Sequence, residues 1–276
     1  MTTSPVFNGW QPRAYFWEGG WIGIGQGGGV VPPHAHHAVQ ISLGLDGPLR
    51  LRDGDGEWQT HRGGIVLPDV THSFDAAGTV VVMLFVDPES REGRWLRKSL
   101  AGPITGLPAE RFECCLPGLR VFWDRPLDAM ETARLVTSVV RNLCVGPPPV
   151  RTLDERVVRV LEAIRRSDAS RIPLDDVART VFLSPSRFAH LFAEEVGLPF
   201  RRYVLWRKLS RALQGIARGS SLSAAAHASG FSDSAHLTRT FYQMFGMAPT
   251  AMLGRGELYE IPAPFELAAS GPPTEA

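Results

Sequence analysis

Three histidines and a glutamine carry the most pointed chemistry in the first third of the chain. His34 and His36 lie in the run His34-Ala35-His36-His37, Gln40 follows four residues later, and His72 comes after Pro68. Side chains alternate between the faces of a strand, so His34, His36 and Gln40 share one face, and His72 arrives from the next turn-strand segment. Neutral imidazoles delivered from neighbouring strands can ligate a divalent metal, or they can line a barrel mouth and hydrogen-bond a ligand. Both uses stand at this point. His34, His36, Gln40 and His72 are candidate effector-binding residues, and His34, His36 and His72 are candidate ligands for a divalent metal. No cofactor is certain from these residues. Trp10, Trp17, Trp21 and Trp58 could supply apolar walls for a ligand, although packing in a core is the commoner fate of Trp.

A second set of polar residues lies on a doubled pattern in the last third. IPLDDVARTVFLSPSRFAHLFAEEVGLP, from Ile172, and SLSAAAHASGFSDSAHLTRTFYQMFGMAP, ending at Pro249, each read as a helix, a tight turn and a second helix ending in an aromatic. Phe192 and Phe241 are 49 positions apart, as are Gly197 and Gly246. Two such units on one segment can read successive turns of a DNA major groove. In the first, Ser184 caps the second helix and Pro185 takes its first position, where a missing N–H costs nothing. Phe188, Leu191 and Phe192 then face a core, leaving Ser186, Arg187, Ala189 and His190 outward. In the second, Ser232 is the expected cap and Leu237, Phe241 and Phe245 form the apolar stripe. Ser234, Ala235, His236 and Arg239 face away. Between the units, Pro199 to Arg218 predicts one long helix with Phe200, Tyr203, Val204 and Leu213 inward. Arg201, Arg202, Arg207, Lys208 and Arg211 are expected on its surface, with Arg201 and Lys208 the candidates for phosphate contact.

The elements that must hold these residues follow from periodicity. Val39, Ile41, Leu43 and Leu45 alternate with polar or small residues, the period of a half-buried strand, and Val80–Val86 is continuously apolar, as for a strand covered on both faces. Turns at Asp46-Gly47-Pro48, Asp53-Gly54-Asp55-Gly56 and Gly63-Gly64 divide short strands into a β-sandwich or small barrel. Arg91–Leu100 and Leu127–Val145 read as helices, and Gly146-Pro147-Pro148-Pro149 as a stiff spacer that would keep two domains apart. Thr152–Arg166 is a further amphipathic helix.

Charge divides along the same line. Residues 151–258 hold 16 Lys and Arg against 10 Asp and Glu, a net of +6, whereas residues 1–150 hold 13 against 15. A basic module joined to a mildly acidic one suits a nucleic-acid reader attached to something else. Cys114, Cys115 and Cys144 lack CxxC spacing and cannot all pair, which suits a reducing cytosol. Met1–Gly29 is too interrupted for a signal peptide, and the longest apolar run, Val80–Val86, is far short of a membrane span. The expected location is cytoplasmic, with no membrane partner.

The residues LSPSRFAHLF, Gly197, Tyr203, Lys208-Leu209, Ala212, GFSDSAHLTRTF, Phe245-Gly246 and Pro249 resemble the DNA-binding domain of the AraC family of bacterial transcription regulators, over roughly residues 152–255. That resemblance implies two recognition helices in adjacent major-groove segments of promoter DNA. It matches Ser186, Ala189 and His190 to base-facing positions of the first helix, and Ser234, Ala235, His236 and Arg239 to those of the second. Ala225 stands where the family has a larger aliphatic, which predicts looser packing of the second unit, and Phe182 fills a turn position often held by a small residue. Gly28 through Gly47, with His34, His36 and Gln40, is similar to the first cupin motif, and Gly64–His72 to a weaker second one. Cupin enzymes carry Glu where this chain has Gln40, which argues against a catalytic metal.

The fold expected is α+β in two domains: an N-terminal cupin-like β-barrel with flanking helices and a C-terminal all-α domain with two helix-turn-helix units. Residues 1–90 form the cupin-like effector domain, 91–149 a helical dimerisation and linker region, 150–258 the double helix-turn-helix domain, and 259–276 a disordered tail. The resemblance implies a regulator rather than an enzyme. It would be a homodimer controlled by a small molecule or metal, acting on double-stranded promoter DNA and RNA polymerase, with the Leu127–Val145 stripe as dimer surface. The alternative is a cupin-type metal-dependent enzyme or metal sensor carrying a DNA-binding domain.

Overall fold

The computed structural model describes residues 12–149, 152–166, 173–253 and 256–261. Trp10, Ile172 and the tail after 261 fall outside these ranges. The strands are β1 (Arg13–Trp17), β2 (Gly20–Gln26), β3 (Val30–His34), β4 (Val39–Gly44), β5 (Leu49–Asp53), β6 (Gln59–His61), β7 (Gly63–Val66), β8 (His72–Asp75) and β9 (Val80–Val86), then β10 (Ile104–Leu107) and β11 (Glu257–Glu260). They form a seven-stranded sheet in the order β10-β7-β4-β9-β2-β1-β11 and a four-stranded sheet in the order β3-β8-β5-β6. Val31, Leu49, Leu51 and Phe74 of the small sheet meet Val66 and Val81 of the large one in a shared apolar core.

Three helices flank the large sheet, α1 (Arg91–Lys98), α2 (Leu116–Asp124) and α3 (Ala129–Leu143). Asp128 and Glu131 close the start of α3 with a capping box. The apolar stripe of α3 is not a free dimer surface. Leu135, Val136, Val139, Val140 and Leu143 are buried with Ile22, Ile41 and Leu84 of the sheet beneath. The stripe was legible, but a sheet face needing cover competes for it, and it wins because it is adjacent in the same chain.

β4 is buried along its whole length rather than on one face. Its apolar residues Val39, Ile41 and Leu43 lie in the core beneath the helices. Its polar residues Gln40 and Ser42 are buried as well, with Gln40 Nε2 donating to Ser42 Oγ at 3.0 Å. Alternation along this strand therefore separates an apolar core from a buried polar site, not core from solvent.

The helical domain comprises α4 (Glu155–Arg166), α5 (Leu174–Thr180), α6 (Pro185–Val196), α7 (Phe200–Ala217), α8 (Leu222–Ala228), α9 (Ser234–Phe245) and α10 (Pro249–Leu253). Its first unit has a core of its own around Phe188, Phe192, Phe200 and Tyr203. Its second unit shares one with the sheet: Phe16, Trp21 and Phe85 pack with Trp206, Phe241 and Phe245. The Gly146–Pro149 spacer thus does not hold the domains apart, because exposed aromatics on each side offered burial against the other. Two further differences lie at the edges of the large sheet. Tyr259 and Glu260, expected in a disordered tail, lie in β11, which pairs in parallel with β1, and Tyr259 stacks on Tyr15 at 4.7 Å. β10, from the segment expected to be helical, completes the other edge of the large sheet. Among the described residues, no helix is long and apolar enough to cross a membrane.

Candidate functional site: a nucleic-acid interface and an interdomain cavity

The two helix-turn-helix units are built alike. α5 and α6 are joined through Phe182 at φ 56°, and α8 and α9 through Gly230 at φ 78°, so the turns make the same left-handed step. In the first unit that step is taken by a residue with a side chain, at a conformational cost of about 1 kcal/mol relative to glycine, and Phe182 is 91% exposed. Ser184 caps α6 by accepting from Arg187 N. The cap of α9 is Asp233, not the expected Ser232: its Oδ1 accepts from His236 N at 2.6 Å. Both residues are good caps by type, and adjacent capping residues cannot be ranked by spacing alone. Ala225 does not loosen the second unit. Its methyl lies 3.6 Å from the position a Cβ on Gly215 would take, so two small residues let α7 and α8 approach closely.

Of the sequence-selected DNA contacts, Ser186, Arg187, His190, Ala235, Arg239 and Arg201 are exposed, and Ala189, Ser234 and His236 are half-buried at the helix starts. Lys208 has a structural bond, since its Nζ donates to Gly230 O in the second turn at 3.0 Å. Arg207, expected on the surface, is 2% exposed. Its guanidinium reaches Asp87 at 3.0 Å and Glu18 at 3.2 Å, both on the barrel, and Trp206 Nε1–H donates to Asp87 at 3.0 Å. Beside this cluster, Glu89 is buried with its carboxylate oxygens unpartnered among the described residues, 3.9 Å from His37 Nε2. Burial first, and the neighbouring Asp87 charge second, push the Glu89 carboxyl above the ordinary range.

The histidines do come together. His34, His36 and His72 are buried, and one ligating nitrogen from each lies within 4.8 Å of the others. His34 Nδ1 and His72 Nδ1 sit 2.8 and 3.0 Å from the carbonyls of Pro32 and Val70, which fixes the proton on Nδ1 and leaves lone pairs on Nε2. Gln40 Oε1 lies 2.8 Å from His36 Nε2 and 3.2 Å from His72 Nε2. Burial, then the charge of a neighbouring imidazole, lowers His34 to about 3, and the same causes hold His36 well below its ordinary value. Burial likewise lowers His72. The cluster is neutral at physiological pH.

His34 and Gln40 form the polar end of a cavity of about 560 Å³, counting its open mouth. One wall comes from the barrel, with Phe16, Trp21, Met83 and Phe85; the other comes from the helical domain, with Phe245, Met247, Met252 and Leu253. The end of α9 rests directly on this site. Gly246 follows it at φ 69°, where a Cβ would meet Pro32 O at 2.9 Å and His34 Nδ1 at 3.0 Å. Phe245 packs against the His36 ring at 5.9 Å between centroids. Of the expected Trp walls, only Trp21 lines this cavity among the described residues. Trp17 borders a separate cleft beside Asp87 and Trp206, and Trp58 stacks under Arg50 and Arg52. The helical-domain wall has no local sequence signal, since Phe245 and Met247 read simply as core residues of a helix end.

Residues 177–255 match a family model described as a helix-turn-helix domain. The probable transcriptional regulator LumQ of Photobacterium leiognathi is 35% identical over 81 residues, which is 29% of this chain and 33% of that relative. The chain thus matches only about a third of the length of that curated relative. ToxT of Vibrio cholerae O395 has a similar fold, with a TM-score of 0.53 and 13% identity over 88% of this chain and 96% of that one. ToxT of strain SCE256, in a structure described as unsaturated fatty acid bound, has a TM-score of 0.50 and 12% identity, covering 92% and 97%. The ToxT structures share the fold, and the relative matched by sequence is described as a probable transcriptional regulator. The doubled, similarly capped units and the match over residues 177–255 show that the last third of the chain is a helix-turn-helix domain.

Proposed function

We propose that the chain is a one-component regulator in which a small apolar effector fills the interdomain cavity and thereby alters how the two recognition helices meet promoter DNA. The observation that supports this most is the composition of the cavity walls: residues of the sheet and residues of α9 and α10 line the same space. A ligand there contacts the sensor and the reader at once, and the differential contact between two arrangements is what shifts their balance. Arg187, Arg239, His190 and His236 are the base readers, Ser186, Ala189, Ser234 and Ala235 shape the fit, and Arg201 contacts phosphate. A homodimer that recruits or excludes RNA polymerase, acting in the cytoplasm, completes the reading.

The chemistry of the cavity also selects the ligand class. The fatty acid of the ToxT structure is a carboxylate on an apolar body. Here the polar end offers neutral imidazole and amide, and among the described residues no cation lines the cavity to compensate a buried carboxylate. We therefore expect uncharged amphiphiles, such as long-chain alcohols or amides, rather than free acids. In a thermal-shift titration, a C10–C16 alcohol series should raise the unfolding midpoint of wild type and leave Met247→Trp, whose indole fills the cavity, unmoved. Equal behaviour of the two proteins, or stabilisation by acids alone, would contradict the proposal.

One observation favours a second reading, a divalent metal at His34, His36 and His72. His72 Nε2 and Gln40 Oε1 face each other, both bearing lone pairs if Nδ1 holds the proton, so the contact is satisfied either by the Gln40 amide turned over or by a cation. Gln40 in place of a carboxylate leaves the donor set uncharged, which fits a sensed metal better than a catalytic one. Zinc titration by calorimetry should show one site in wild type that is lost in His34→Ala/His72→Ala. No heat in wild type would end this reading.

A further inference from the structure

The two recognition helices carry opposite hydrogen-bonding polarity at the same position. Arg187 and His236 are each the third residue of their helix: Arg187 N bonds to the cap Ser184 Oγ, and His236 N to the cap Asp233 Oδ1. Arg187 is exposed, and its guanidinium can only donate. The state of His236 is set by its neighbours. Ser232 Oγ lies 3.1 Å from Asp233 Oδ2 and 3.2 Å from His236 Nδ1. A carboxylate only accepts, so the single hydroxyl proton of Ser232 points to Asp233. The hydroxyl oxygen must then accept from His236 Nδ1–H, which in the neutral imidazole leaves the lone pair on Nε2. The backbone N–H of His236, then the Ser232 hydroxyl, hold the Asp233 carboxyl below its ordinary range, keeping it an acceptor. The Phe231 ring meets the imidazole edge-on at 5.2 Å and fixes its plane.

In the major groove, adenine and cytosine present exocyclic amino donors, whereas guanine presents only acceptors to a side chain and thymine an acceptor and a methyl. We propose that the second recognition helix reads an amino-bearing base, adenine or cytosine, through the lone pair of His236 Nε2. The first reads guanine through Arg187. One protomer then recognises a segment with a fixed direction, and the Asp233–Ser232 pair is the positioning device that makes His236 an acceptor. This rests on the DNA-binding reading above and adds which base each helix selects.

Selection from a randomised duplex library by the full-length protein, followed by affinity measurement on single-base variants, tests it. Wild type should enrich adenine or cytosine at one position under the second helix, with about tenfold discrimination against guanine. Ser232→Ala, which frees the ring to take either tautomer, should reduce that discrimination to near parity while leaving the other positions unchanged. His236→Arg should turn the preference to guanine. A wild-type preference for guanine or thymine there, or sequence profiles identical in wild type and both variants, would overturn the inference while the DNA-binding reading survives. Enrichment of no sequence at all would overturn both. Far-UV dichroism and melting of the variants separate a lost fold from a changed preference, and Ser232→Ala alters an exposed hydroxyl only.

Discussion

Replacing Arg207 with alanine should lower folding stability by about 3–5 kcal/mol, the usual consequence of leaving a buried charge without its partner. Arg207 and Asp87 are 2% and 1% exposed, and both guanidinium ends are engaged by the barrel. Truncation strands Asp87 beside Glu89, a second buried carboxyl that already lacks a hydrogen-bond partner among the described residues. Protonation of one of the two would recover part of the loss. Arg207→Lys should restore little, because a single ammonium cannot bridge Asp87 and Glu18 as a planar fork does. Arg207→Met with Asp87→Leu should be far milder than Arg207→Ala, since both charges leave together. Urea unfolding midpoints of the four proteins check this. A loss below about 1 kcal/mol for Arg207→Ala, as at an exposed position, would mean that the helical domain stands away from the barrel in solution.

Acid should destabilise the metal-free protein well before its carboxylates titrate. His34 falls to about 3 and His36 lies well below its ordinary value of 6.5, burial being the main cause of each. Between pH 6.5 and 5 the unfolded chain therefore binds protons that the folded chain refuses, so stability is full above that window and falls as pH drops. His34 accounts for about 2 kcal/mol of this loss at pH 5, and His36 adds to it in the same direction. The strongly depressed carboxyls act lower: Glu131 and Asp154, both held at about 2 by their arginine partners, lose stability only below the ordinary carboxylate range. Glu89 works in the opposite direction, since a raised carboxyl pKa favours the folded state on acidification. Comparison with a His34→Asn/His36→Asn variant isolates the histidine contribution. In chelator-treated protein, the variant should have a clearly shallower stability slope from pH 6.5 to 5. Equal slopes would place the imidazoles in contact with solvent.

The helical domain was largely legible in the chain because its signals are local. Ser184-Pro185, the Gly197 and Gly246 stops, and the spacing of Phe188, Phe192, Phe241 and Phe245 lie within a turn or two of the structure they specify. The polar residues of the candidate site were legible by type, but strand parity is not what joins them: His34 ends β3 in one sheet, Gln40 lies in β4 of the other, and His36 sits in the loop between. What escaped is what docking decides. Arg207 lies on a helix face that is solvated if the domains are apart and buried once α7 meets the barrel, and local periodicity does not distinguish the two. Gln40 and Ser42 read as the wet face of β4, yet they border a buried cluster. Met247 and Leu253 wall the cavity from more than two hundred residues after His34 in the chain, a juxtaposition that no spacing rule encodes.

The coupling of cavity to recognition helices is tested most directly by binding curves on one labelled duplex, chosen from the selected library, at fixed salt with and without a neutral long-chain alcohol. The expected result is a shift in affinity of about fivefold or more for wild type, in either direction, and no shift for Met247→Trp. Superimposable curves for wild type, under an alcohol concentration that demonstrably raises its melting midpoint, would contradict it: the cavity would then hold a ligand that the DNA-binding domain does not sense.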